Sequence, residues 1–194
     1  MRGLCEKFNF IEQITFTHKI PRKHIYVDWD LSSICNYNCY YCPVEAHDGK
    51  VEFPDLDDTK EFVNKIHKDY NTKDFAVYNL FGGEPTIWKH LFDFSSYIKT
   101  VNSKNILQIL TNGSRSKSWW LKHGKFIDKV VVSVHVAECH DIQNLVDKFN
   151  NIVGQLDIEF QIAMDVKIFD KCVQYYNYAY ENLDKRIAVR IKVL

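Results

Sequence analysis

Cys35, Cys39 and Cys42 fall within the short segment Cys35-Asn36-Tyr37-Asn38-Cys39-Tyr40-Tyr41-Cys42-Pro43. Thiolates at this spacing can face one metal centre, but three of them cannot saturate a cluster of four irons. An iron without a protein ligand can take a small molecule, whereas a fully liganded cluster can only pass electrons. Two other chemistries use the same residues. Cys39, Cys42 and His47 begin a C-x2-C-x4-H-x4-C zinc knuckle, but its fourth ligand position is Glu52, which breaks the pattern. A disulfide is the other, yet the six cysteines are scattered in a chain with no secretory signal, which suggests a reducing compartment.

Gly82-Gly83-Glu84-Pro85 is the second group. Alone it is an ordinary strand-ending turn: two glycines admit positive φ and Pro85 stops the strand. The same residues let the backbone approach a ligand, with Glu84 as acceptor for an ammonium group. In type and order, the C-x3-C-x2-C loop with Tyr41 before its last cysteine, followed by Gly-Gly-Glu-Pro, resembles the radical S-adenosylmethionine (SAM) superfamily.

That resemblance covers most of the chain and implies a fold, a cofactor set and a reaction. The fold is α/β, an open partial (β/α)6 barrel of parallel strands with outer helices. Cys35, Cys39 and Cys42 would hold a [4Fe-4S] cluster whose open iron binds the amino and carboxylate groups of SAM. Reductive cleavage of SAM would give methionine and a 5′-deoxyadenosyl radical that abstracts hydrogen from a substrate. The cofactor supplies the difficult chemistry, and the protein positions it and excludes water. Gly82, Gly83 and Glu84 would meet the methionyl amino group, Tyr41 would lie beside the adenine, and Ser133 would serve the ribose. Asn112, Gln161 and Arg190 are further candidate SAM contacts. A one-electron donor such as flavodoxin or ferredoxin is the implied partner. Thr111-Asn112-Gly113-Ser114-Arg115, Trp119-Trp120 and Ser133-x-His135-x2-Glu138 resemble, more narrowly, small radical SAM proteins of bacteria and phages whose substrates are unassigned.

The elements that must carry these residues alternate along the chain. Strands are expected at 25–31, 75–81, 106–111, 129–135, 158–164 and 187–193. Asp58 and Glu61 resemble a capping box opening a helix whose Phe62, Ile66 and Tyr70 share a face. Leu91, Phe94, Ile98 and Val101 repeat that pattern, as do Leu145, Phe149 and Ile152, and Asp170 is expected to cap a last helix through Val173, Asn177 and Tyr180. Trp119 and Trp120 fall on a short helix after Gly113. Strand and helix in alternation imply parallel βαβ units, and ligands collect at the carboxyl ends of such strands. The cysteine loop, Gly82-Gly83-Glu84-Pro85, Thr111-Asn112-Gly113 and Ser133-Val134-His135 each lie at such an end.

Strand parity sorts the remaining candidates. Val130, Val132 and Val134 suit the helix-facing side of strand four, leaving Val131, Ser133 and His135 toward the cavity. His135 and Glu138 are thereby the candidate substrate-side, catalytic residues, with a hydrogen-bonded interior histidine as the plain alternative. Glu159, Gln161 and Ala163 share a face on strand five, and Arg190 and Lys192 on strand six. Inward cations need anionic partners, and Asp28, Asp30 and Glu159 have the parity to supply them. Arg190 is thus read either as part of an internal salt-bridge network or as a partner for a carboxylate of SAM or substrate.

The chain of 194 residues, 46% hydrophobic, is expected to build one core domain over its whole length. Its 25 acidic and 25 basic residues cancel, so no global field draws it to nucleic acid. The charged start, Met1-Arg2-Gly3-Leu4-Cys5-Glu6-Lys7, has no apolar signal core, and no apolar run reaches membrane-spanning length, which predicts a soluble, cytoplasmic protein. The chain stops at Leu194 inside a strand pattern, which leaves a C-terminal part that would close the barrel to be looked for. Cys5, Cys139 and Cys172 stand alone and read as structural thiols, and the tyrosine-rich stretch 175–180 as a packing face. The competing function is a structural zinc or iron-sulfur protein without turnover. Among enzymes, the open options are a 7-carboxy-7-deazaguanine synthase-like reaction and a glycyl-radical activase.

Overall fold

Six parallel strands make one sheet in the order of the chain, β1 to β6, in a computed structural model that describes residues 24–69 and 75–194. The strands are β1 His24–Asp30, β2 Phe75–Phe81, β3 Ile106–Thr111, β4 Lys129–Val134, β5 Asp157–Met164 and β6 Ala188–Val193. Parallel neighbours require a crossover, and the crossovers carry α1 Leu56–Asp69, α2 Leu91–Val101, α3 Lys117–His123, α4 Ile142–Asn150 and α5 Phe169–Asn182. With β1 and β6 at its two ends, the sheet is the open partial barrel expected.

The parity of the strands decides which face is dry. Trp29, Tyr78, Leu80, Leu107, Ile109, Val130, Val132, Ile158, Phe160 and Ile162 form the core with Phe62 and Ile66 of α1, Phe94 and Ile98 of α2, Trp120 of α3, and Leu145 and Phe149 of α4. Each such side chain, taken fully out of water, contributes about 1.5–3 kcal/mol before entropy is charged against it. The opposite face is polar. Asn79 Nδ2 donates to Asp28 Oδ1 at 2.9 Å and Gln108 Nε2 to Asn79 Oδ1 at 3.1 Å, and Lys129 and Arg190 flank Glu159 at 3.7 and 3.4 Å. This polar tier lies below the carboxyl ends of the strands.

Helix starts depart from expectation for local reasons. Helix α1 begins at Leu56, where Asp55 Oδ1 accepts from Asp57 N–H, so Asp58 sits inside the first turn. Asp170 likewise lies in the first turn of α5, while Asp165 caps the short 3-10 turn before it by accepting from Lys167 N–H. The buried face of α5 is Cys172 and Ala179, with Tyr175, Tyr176 and Tyr178 packed alongside. Val173, Asn177 and Tyr180 do not form that face, and Tyr180 is 68% exposed. Cys139 and Cys172 are buried free thiols, whereas Cys5 and Tyr70 lie outside the described residues. Among the described residues no helix is long and apolar enough to cross a membrane.

Candidate functional site

The cysteine loop is pinned at its base. Ser33 N–H donates to Val51 O and Val51 N–H to Ser33 Oγ, both at 3.0 Å, while Ser32 Oγ donates to the same carbonyl and Ser33 Oγ to Asp48 Oδ1, both at 2.8 Å. Residues 35–47 therefore form a closed loop on β1 whose two ends are held together, an Ω-like arrangement. Within it a turn brings Cys42 N–H to Cys39 O at 3.0 Å, and Tyr37 N–H points at Cys35 Sγ at 3.4 Å.

All three sulfur-bearing residues line one cavity of about 290 Å³ at the carboxyl ends of the strands, with Asp30, Gly82, Gly83, Asn112, Ser133, His135 and Lys192. A larger depression, about 620 Å³, lies at the α5–β6 connection among residues such as Leu183, Asp184 and Arg190. It holds none of the thiols and sits at the amino end of β6. Burial first, then the neighbouring Glu84 and Cys42, holds the Cys35 thiol high, and burial with the charges of Cys42, Glu138 and Cys35 pushes Cys39 up to about 12. A cationic iron cluster offsets both causes, because it takes the thiolate form. Among the described residues no three ligating side chains converge on a point suited to one ion. A single zinc needs its sulfurs about 2.3 Å from such a point, while a four-iron cluster takes one thiolate per iron. The donor set fits the cluster.

Both glycines of the second motif are forced by geometry. Gly82 and Gly83 have φ of 83° and 50°, and a Cβ would overlap the Asp30 carboxylate at Gly82 and the Ile34 carbonyl at Gly83. The β2 turn thus packs edge-on against the start of the cysteine loop, where Glu84 N–H donates to Ile34 O at 2.9 Å. Glu84 itself is fully buried. Its Oε1 accepts from Thr86 N–H at 3.0 Å, Thr86 Oγ1 at 2.6 Å and Thr111 Oγ1 at 2.7 Å, and its Oε2 from Asn112 N–H at 2.7 Å. The carboxylate expected at an ammonium group is occupied within the chain and is not on the cavity wall. Asn112 reaches back to the cysteine loop, its Nδ2 donating to Asn36 Oδ1 at 2.9 Å. Buried Lys148 donates to Gly113 O at 2.7 Å and holds the same turn from below.

Ser133 and His135 stand on the wall as their parity requires, while Val130, Val132 and Val134 join the core. Tyr41 Oη lies 2.7 Å from His135 Nδ1, with the rings nearly parallel and Tyr37 edge-on to the imidazole. Burial, then the charge of Lys192, lowers the His135 pKa to about 4, and burial raises that of Tyr41. Burial thus keeps Tyr41 protonated and His135 neutral, and the direction of the hydrogen bond between them follows the imidazole tautomer.

The other sequence candidates lie elsewhere. Glu138 is in the turn closed by its own N–H on His135 O at 2.9 Å, near enough for its charge to raise Cys39 but off the cavity wall. Gln161 donates to Glu159 Oε1 at 3.0 Å, and Arg190 pairs with the same carboxylate. Lys192 reaches the cavity in place of Arg190. Parity had brought Lys192 and Asp30 to this face, but with the role of salt-bridge partners. Asn36 was missed entirely, since its contact spans 76 positions.

Comparison with known proteins gives a family match, distant curated relatives and solved structures of similar fold. The Radical SAM superfamily model matches residues 29–154. GTP 3′,8-cyclase of Yersinia pestis is 26% identical over 158 residues, covering 78% of this chain and 47% of that protein. The Haemophilus influenzae enzyme of that name is 24% identical, covering 73% and 43%. The chain thus spans about half the length of the curated relatives it matches. Among solved structures, anSMEcpe with bound AdoMet superposes with a TM-score of 0.59 at 15% identity, covering 87% of this chain and 49% of that one. BtrN in complex with AdoMet and 2-DOIA gives 0.50 at 19% identity, covering 67% and 52%. These likenesses show the partial-barrel fold. With a family match over most of its length and three thiols on one pinned loop facing the cavity, this chain belongs to the radical SAM superfamily, whose enzymes use a [4Fe-4S] cluster and SAM.

Proposed function

We propose that residues 24–194 form one radical SAM core domain in which Cys35, Cys39 and Cys42 hold the cluster and the cavity beside them takes SAM and substrate. One observation carries this reading: the three thiols share a cavity wall with Gly82, Gly83, Ser133 and His135, so cofactor and substrate groups can meet in one cleft. When bound, the cluster with SAM supplies one-electron cleavage of the sulfonium and hydrogen abstraction from substrate. The chain's own residues bind and orient. Ser133 offers a hydroxyl to the ribose, Asn112 fixes the turn facing the cysteine loop, and His135 offers the free nitrogen of a neutral imidazole. Tyr41 lies beside the adenine subsite, tied to β4 through His135. Lys192, which makes no ion pair among the described residues, offers a cation to an acid group of SAM or of the substrate. Gln161 and Glu138 support the wall from behind it, and Arg190 pairs with Glu159 at the open edge. The electron comes from a one-electron donor such as flavodoxin or ferredoxin.

The test is metal content and SAM cleavage after anaerobic reconstitution. About four irons and four sulfides per chain are expected, and one zinc would mark the non-catalytic alternative. Cys35→Ala, Cys39→Ala and Cys42→Ala should each lose the broad brown absorption and SAM cleavage, whereas Cys139→Ala should keep both. Full iron and activity in the Cys39 variant would overturn the assignment.

A further inference from the structure

His47 is left over from the zinc-knuckle pattern and has no part in the function proposed so far. It lines the cavity that holds the three thiols and follows Cys42 closely on the same pinned loop. Its backbone N–H closes the short 3-10 turn Val44–Ala46 on Val44 O at 3.1 Å. The next residue, Asp48, is anchored by Ser33 Oγ at 2.8 Å and Lys50 N–H at 3.0 Å. The ring is oriented as well, because His47 Nδ1 lies 3.0 Å from Pro43 O. A carbonyl oxygen only accepts, so Nδ1 carries the hydrogen and Nε2 of the neutral ring keeps its lone pair. Among the described residues that nitrogen makes no hydrogen bond. An imidazole that donates one N–H to a backbone carbonyl and leaves its other nitrogen bare has the arrangement of a metal ligand. The other histidine of the cavity, His135, is instead paired with Tyr41 at 2.7 Å.

We propose that His47 Nε2 is the fourth protein ligand of the cluster while SAM is absent, and that SAM displaces it. This rests on the radical SAM reading above. Imidazole suits iron, and it replaces thiolate on one iron of Rieske centres. Three thiolates leave one iron without a protein donor, and His47 is a nitrogen donor held ready on the loop that carries them. In the exchange the bond from iron to Nε2 breaks, and the amino nitrogen and a carboxylate oxygen of SAM bind the iron. The ammonium proton of SAM passes to solvent, and no electron moves. Capped in this way, the iron is closed to water and oxygen until SAM arrives. Asp30 is a further donor on the cavity wall, and as an oxygen ligand it would give no nitrogen coupling in the test below.

The experiment is pulsed EPR of the reduced cluster in anaerobically reconstituted protein labelled with nitrogen-15 histidine, with and without unlabelled SAM. Without SAM, the coupling of a directly bound histidine nitrogen is expected in wild type and in His135→Gln, and is expected to be absent in His47→Gln. Adding SAM should remove it. His47→Gln should keep its iron and bind SAM about threefold or more tightly, since no ligand has to be displaced. SAM-free wild type with iron but no histidine coupling overturns the proposal and leaves His47 as a loop-closing residue; a coupling that survives His47→Gln overturns it too. Unchanged SAM affinity in an iron-replete His47→Gln overturns the displacement. If that variant takes up no iron, the labelled wild type with and without SAM decides alone. A coupling that persists at saturating SAM would mean four fixed protein ligands, overturn the exchange and favour the iron-sulfur protein without turnover. Wild-type protein that binds no iron would sink the radical SAM reading itself, a result distinct from iron present without histidine coupling.

Discussion

Tyr41 and His135 form a 2.7 Å pair across 94 positions of sequence, and their protonation states follow from burial. The folded imidazole holds out against protonation until about pH 4, whereas in the unfolded chain it protonates near its ordinary value of about 6.5. Between those values the unfolded state binds more protons, so stability falls as pH drops through that window. Urea midpoints measured from pH 7 to pH 4.5 should therefore decline in wild type and decline less in His135→Gln, which cannot titrate. Equal slopes would remove the buried neutral imidazole. At this scale the sequence was partly legible. Alternation along β4 put Ser133 and His135 on one face, because parity is a property of the strand alone. The full partner set of Glu84 was not legible: Thr86 is a local capping contact, but Thr111 and Asn112 reach the carboxylate only once β2 and β3 lie side by side.

Turns and helix ends show a similar division. All six strands stood out, as runs of apolar residues bounded by turn signals, because the sheet is parallel and its dry face covered. The starts of α1 and α5 did not, because several acids precede each helix and local hydrogen bonding chooses among them. Glycine substitutions test how tightly the turns are drawn. Gly83→Ala must accommodate both φ of 50° and the Ile34 backbone, so it should cost more than the ~1–3 kcal/mol of backbone strain alone and should reduce cluster retention. Gly49→Ala has a comparable φ of 69° but open space around it, and should show the strain cost only. Thermal unfolding and iron content of the two variants compare them directly. Glu84→Ala should be worse than Gly49→Ala, because it leaves buried hydroxyl and amide donors without an acceptor at about 1–3 kcal/mol for each group stranded.

Across the whole molecule, polar contacts divide into those that shape the cavity and those that decorate an open edge. Arg190 belongs to the second kind: its side chain is 67% exposed although it touches Glu159. Arg190→Ala should change stability by less than about 1 kcal/mol, as exposed ion pairs do, and should leave SAM binding intact. Calorimetric titration of SAM checks the second half, and a large loss there would return Arg190 to the ligand. The pinned base of the cysteine loop has a wider consequence for biogenesis. Its closure relies on Ser32, Ser33, Asp48 and Val51, and the three cysteines lie outside the main core cluster, although Cys39 is itself buried. Under the proposed cluster assignment, the chain is expected to complete its sheet first and receive iron afterwards, which circular dichroism of metal-free protein before and after reconstitution would check. A cell short of iron would then accumulate a folded precursor ready for maturation, and a cluster lost to oxygen could be rebuilt without refolding the protein.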